Sequence, residues 1–160
     1  MCRFLLILVL ALSMPVARAT PQISDEIILD GNKLQLVRSP FLALMKERDI
    51  YKDLHPFLKG GCTASILGFK AKWEIVENKL FLLSLVANPC SVPKEVPLST
   101  FFQQENGPVF AYWYSGPLQI PSGPMIDMEL QRFESYIVLM VQRGKVISRE
   151  ENVPPPPIVK

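Results

Sequence analysis

The side chains whose types could carry chemistry are few, and their spacing does not assemble them. His55 is the single histidine of the 160 residues. It precedes Pro56, and no G-x-S-x-G elbow accompanies it, so the Ser-His-Asp plan has a base without a presented nucleophile. A lone histidine in that setting reads as a surface or capping residue. Glu74 with Glu77, and Glu129 with Glu134, are carboxylate pairs of the kind glycoside hydrolysis uses as acid and base. Carboxylates on strands and turns ordinarily form the wet face of a sheet, which is the reading adopted for both pairs. The chain contains no HExxH, no EF-hand pattern and no phosphate-binding glycine loop. The expectation is a protein that is not an enzyme and holds no metal or cofactor.

Cysteine is read through the compartment, and the first nineteen residues set that compartment. Met1-Cys2-Arg3 is a short basic start, Phe4 to Val16 is an apolar run, and Ala17-Arg18-Ala19 has the small residues of a signal-peptidase site. The run is too short to span a bilayer, and Pro15 sits near its end. The expectation is a signal peptide over 1–19, cleaved after Ala19, and a periplasmic mature chain with no membrane anchor. Cys62 and Cys90 then remain in an oxidising compartment, and a disulfide between them is expected. A metal or redox pair is disfavoured, because there is no C-x-x-C and only one histidine.

Removing Arg3 and Arg18 from seventeen basic residues leaves fifteen, against fifteen acidic ones, so the mature chain is neutral. Binding to nucleic acid requires an excess of Lys and Arg to displace counterions, and no basic block exists here, so that class is set aside. No N-x-S/T acceptor for glycosylation occurs either.

The elements that must position any site read as mainly β. Glu26 to Leu29 and Leu34 to Val37 flank Asp30-Gly31, whose positive φ suits a tight hairpin. Ser39-Pro40 before Phe41 to Arg48 predicts a short helix with Phe41, Leu44 and Met45 on one face. Ala71, Trp73 and Ile75 alternate with Lys70, Lys72 and Glu74, and after a turn at Glu77-Asn78-Lys79 the run Leu80 to Val86 returns as a second strand. Asn88 to Pro97 is a loop, and Leu98 to Gln104 holds at most one helical turn. Leu118 to Ile120, Met125 to Leu130, and Ser135 to Gln142 are further strands. The last of these is expected to be covered on both faces and to turn at Arg143-Gly144-Lys145 into Val146 to Arg149. The fold class expected is mainly β, α+β with a minor helical part: an antiparallel sheet or sandwich of hairpins with one short N-terminal helix. One domain should cover 20–152, followed by a Pro-rich flexible tail over 153–160.

Phe110-Ala111-Tyr112-Trp113-Tyr114 is the densest aromatic segment. On a strand Phe110, Tyr112 and Tyr114 would face one way and Ala111 and Trp113 the other. Core packing explains most such residues, yet Tyr and Trp also dominate binding hot spots. Tyr112 and Tyr114 are therefore the candidate partner-binding residues.

Several ordered motifs together carry a resemblance. These are Ser24-Asp25 before the first hairpin, Ser39-Pro40-Phe41-Leu42, Ala71-Lys72-Trp73-Glu74-Ile75 with Leu80 and Leu82, Ala111-Tyr112-Trp113-Tyr114-Ser115-Gly116-Pro117-Leu118-Gln119-Ile120-Pro121, and Arg143-Gly144-Lys145-Val146. Over roughly 24–150 the chain resembles a family of small, largely uncharacterised bacterial proteins marked by a W-E-I strand and a W-[FY]-S-G-x-L-x-I-P segment. Pro117 departs from that pattern, standing where a Thr or similar residue is expected. The resemblance implies no catalytic residues. The signal and the cysteines mark this chain as an exported member.

Small neutral exported domains with no catalytic set most often act by binding. The expectation is a periplasmic immunity protein, a stoichiometric inhibitor of a secreted toxin or effector protein. The alternative is an envelope structural or ligand-binding module. An enzyme of unfamiliar type ranks last.

Overall fold

The structure is a computed structural model that describes residues 22–58, 62–103 and 107–157. The expected signal segment lies outside the described residues. Among the described residues eleven strands are defined: β1 Glu26–Leu29, β2 Asn32–Gln35, β3 Phe69–Val76, β4 Lys79–Ala87, β5 Lys94–Val96, β6 Val109–Phe110, β7 Gly116–Pro121, β8 Met125–Asp127, β9 Arg132–Phe133, β10 Tyr136–Gln142 and β11 Lys145–Val153. Two short helices, α1 Phe41–Glu47 and α2 Tyr51–Leu54, lie between β2 and β3. The molecule is mainly β with a minor helical part, as its residue pattern predicts.

Three tight turns organise the sheet. Asp30-Gly31, Glu77-Asn78 and Arg143-Gly144 each place two successive residues at positive φ, the geometry whose twist matches that of the strands it joins. They close the hairpins β1–β2, β3–β4 and β10–β11. The strand order is β2-β1-β3-β4-β11-β10-β7, with β5 and β6 also pairing with β4. One pair, β1 with β3, is parallel, Ile27 standing opposite Trp73. The end strands approach each other, and the Val37 N–H just past β2 donates to the Gln119 carbonyl of β7 at 3.0 Å. The sheet thus curls toward a closed barrel. Its concave face is filled by Ile27, Trp73, Leu82, Leu118, Ile120 and Leu139, all essentially inaccessible to water. α1 caps one end of that core through Phe41, whose ring meets Phe69 and Phe101 edge-on at 5.4 and 5.6 Å.

Several local expectations differ from the structure, among them the strand expected over Met125 to Leu130, which ends at Asp127. The aromatic segment Phe110 to Tyr114, considered above on a strand, leaves the strand at Phe110, because the chain turns there: the N–H of Tyr112 donates to the Phe110 carbonyl, and that of Tyr114 to the Ala111 carbonyl, each at 2.9 Å. β10 is not covered on both faces, since Leu139 and Val141 are buried while Met140 and Gln142 are exposed. It follows the period-two rule of a sheet with one dry side. β11 is longer than expected and runs to Val153, which pairs with Tyr136. Beyond it, the Pro156 carbonyl accepts a hydrogen bond from the Arg132 guanidinium at 2.8 Å.

Candidate partner-binding face

Two of the motifs singled out in the sequence fold into joints. Asp25, just before β1, is 6 % exposed. Its Oδ1 accepts from the Ala71 N–H at 2.9 Å and its Oδ2 from Trp73 Nε1 at 2.8 Å. The carboxylate therefore bonds the start of β1 to β3 at the end of the parallel ladder. Burial pushes the Asp25 carboxyl above its ordinary value, against the opposing pull of hydrogen bonds from Ser39, Ala71 and Trp73 and of the Lys70 charge. A second joint links the last hairpin to the aromatic segment. Ser115 Oγ accepts from the Arg143 N–H at 3.0 Å, and the Tyr114 carbonyl accepts from the Gly144 N–H at 2.8 Å. Gly144 has φ +76°, and a Cβ there would lie 2.7 Å from the Ala111 carbonyl oxygen. Only glycine allows that approach.

This second joint separates the two candidate tyrosines. Tyr114 is half-buried against the core, and its hydroxyl donates to the Pro117 carbonyl at 2.8 Å. Burial pushes its phenol upward, with the Arg38 charge acting the other way. Tyr112, by contrast, is 46 % exposed. Its hydroxyl accepts a hydrogen bond from the Arg48 guanidinium, whose central carbon also lies 5.9 Å from the Tyr112 ring centroid. Arg48 is the residue that ends α1.

Behind Tyr112 the aromatic contacts are continuous. Trp113 meets it edge-on at 5.4 Å and stacks on Phe102 at 5.0 Å, with 22° between the planes. Phe102 in turn meets Phe101, which meets Phe41 of the core. Tyr112 is thus held at its hydroxyl by a cation and at its ring edge by a buried tryptophan. Arg48, Phe101, Phe102, Gln103, Phe110 and Tyr112 border a cavity of about 820 Å³ beside it. Half-exposed aromatic and arginine side chains on a packed base are the composition of interface hot spots.

The side chains considered for catalysis do not converge. His55 is exposed, and its ring lies 5.9 Å from that of Tyr51. Glu77, Glu129 and Glu134 are exposed, and Glu74 sits half-exposed on β3. Among the described residues no three His, Cys, Asp or Glu side chains gather as metal ligands, and no helix is long and apolar enough to cross a membrane. Cys62 and Cys90 stand at disulfide distance, their Cα atoms 6.4 Å apart, which is consistent with an oxidising, exported location. The sequence pattern did not single out Arg48 or Asp25 as site residues. The available signals were the helix that Arg48 terminates and the Ser24-Asp25 pair ahead of β1. No protein-family model, curated protein or solved structure matches this chain.

Proposed function

We propose that this protein is a stoichiometric inhibitor of the immunity type. It would act in the periplasm, covering the active site or substrate groove of a secreted toxin through the face around Tyr112. The observation that carries the reading is the exposure of Tyr112 while Arg48 and Trp113 fix its hydroxyl and its ring edge. A large aromatic held in one place loses little side-chain freedom on association, so more of its contact energy appears as affinity. The Cys62–Cys90 pair supports the same reading, since it ties the loop before β3 to the loop after β4 and limits the reordering a partner must impose. A patch centred on one tyrosine and one arginine, within an interface of about 1,600 Å², is enough for tight inhibition.

The test is titration of a secreted enzyme captured on the purified protein. The reading predicts that activity falls linearly to zero at one equivalent of this protein, and that Tyr112→Ala weakens inhibition by about 2 kcal/mol or more. Undiminished enzyme activity at large excess of the protein would refute it.

A further inference from the structure

The cavity beside Tyr112 is lined in a way that selects the charge of what enters it. Its volume of about 820 Å³ falls within the range of sites that enclose a ligand group. Phe101, Phe102, Val109 and Phe110 give it apolar walls, while Arg48, Gln103 and Tyr112 supply the polar part. Among the described residues that line it none is acidic. A cation brought there would meet the Arg48 charge with no carboxylate to offset it.

Two donors converge at its edge. One N–H of the Arg48 guanidinium is given to the Tyr112 hydroxyl oxygen, and the remaining N–H groups of that planar fork have no carboxylate within ion-pair distance among the described residues. The Tyr112 oxygen is the acceptor in that bond, so its own proton is left to donate, and no described residue accepts it. Arg48 and Tyr112 thus present an N–H and an O–H side by side. A carboxylate has two oxygens in one plane and accepts from both. A phosphate would bring further oxygens and more charge against phenylalanine walls that carry no donor.

The walls decide how much such a bond is worth. An ion pair made by an exposed arginine contributes little, because water competes for both charges. A carboxylate carried beside an apolar group covers the aromatic walls, expels that water and makes its charge-assisted hydrogen bonds in a drier place, where they are stronger.

We infer that this cavity receives an aspartate or glutamate side chain of the partner protein. Arg48 and the Tyr112 hydroxyl hold the carboxylate, and an apolar group next to it packs on Phe101, Phe102 and Phe110. The inference rests on the inhibitor reading for the source of the carboxylate, and it adds the chemistry by which the partner is selected. Arg48 then acts twice: it fixes Tyr112 in the free protein and discriminates between partners in the complex.

The experiment has two arms. In the first, the isotope-labelled protein is titrated with phenylacetate and with phenylacetamide, followed by amide NMR. The site predicts saturable shifts at Arg48, Phe101 to Gln103 and Phe110 to Tyr112, with phenylacetate bound about tenfold more tightly than the neutral amide. Arg48→Gln should erase that preference, and Tyr112→Phe, which keeps the ring and removes the hydroxyl, should reduce it. Both positions are exposed, so the fold tolerates both variants. In the second arm, Arg48→Gln should weaken inhibition of the captured enzyme about tenfold or more. Equal binding of the two probes, a preference that survives Arg48→Gln, or inhibition that Arg48→Gln leaves unchanged would overturn the inference while the inhibitor reading stands. Selective binding of phenylacetate by a protein that inhibits no captured enzyme would end the inhibitor reading and, with it, the partner as source of the carboxylate.

Discussion

Asp25 and Tyr112 place opposite demands on the fold. Tyr112 keeps its ring half in water at a position fixed by Arg48 and Trp113, which suits binding and contributes little to stability. Tyr112→Ala should therefore leave the urea midpoint almost unmoved, within about 0.5 kcal/mol, as exposed substitutions usually do. Asp25 is buried, and its carboxyl titrates above the ordinary 3.8 because desolvation outweighs its hydrogen bonds. The native state thus holds the Asp25 proton to a higher pH than the unfolded chain does. Between 3.8 and the raised native value, this residue's contribution to stability falls as pH rises and is recovered as pH falls. Asp25→Asn removes that dependence but sets an NH₂ group against either the Ala71 N–H or Trp73 Nε1, at a cost of about 1–3 kcal/mol. Denaturation across that pH window should show the wild type losing its advantage over Asp25→Asn as pH rises. Parallel pH profiles would contradict the assignment.

Elements were legible in the sequence where their signal is local. The hairpins followed from Asp30-Gly31, Glu77-Asn78 and Arg143-Gly144, whose turn chemistry and flanking alternation are contained within a few residues. The parallel pairing of β1 with β3 was not legible, since its partners are more than forty residues apart and β1 is only four residues long. The aromatic segment reads as strand by propensity. It turns at Ala111 because the Arg143-Gly144 hairpin docks on it, and nothing within the segment itself announces that contact. The candidate face shows the same division. Tyr112 stood out by composition, whereas Arg48 reaches it from 64 residues away. The docking also separates two glycines that look alike in sequence. Gly31 and Gly144 both have positive φ, but a Cβ at Gly31 meets nothing within 4 Å. Gly31→Ala should cost about 1 kcal/mol, and Gly144→Ala at least twice as much because its Cβ must displace the Ala111 backbone. Chemical denaturation of the two variants tests the docking directly, and equal losses would argue against it.

The whole molecule is a curled sheet whose loops are restrained at both ends: by the Val37–Gln119 hydrogen bond where the end strands meet, and by the Cys62–Cys90 pair. With a sequence separation of 28 residues, the disulfide should contribute about 3–4 kcal/mol on the chain-entropy account. Replacing both cysteines by serine should lower the unfolding free energy by that amount, read by urea denaturation, while leaving the far-UV spectrum of the sheet in place. Such restraint gives the proposed inhibitor a rigid face, and it is on this scale that the functional account stands. Its most direct test is capture from the exported fraction of the cells that make the protein, using wild type and Tyr112→Ala as parallel baits and a high-salt wash. The account predicts one secreted enzyme held in equal amount by the wild type, released by Tyr112→Ala, and inactivated when the wild-type protein is added back. An enzyme captured equally by both baits, or one whose activity is untouched by the protein, would contradict it.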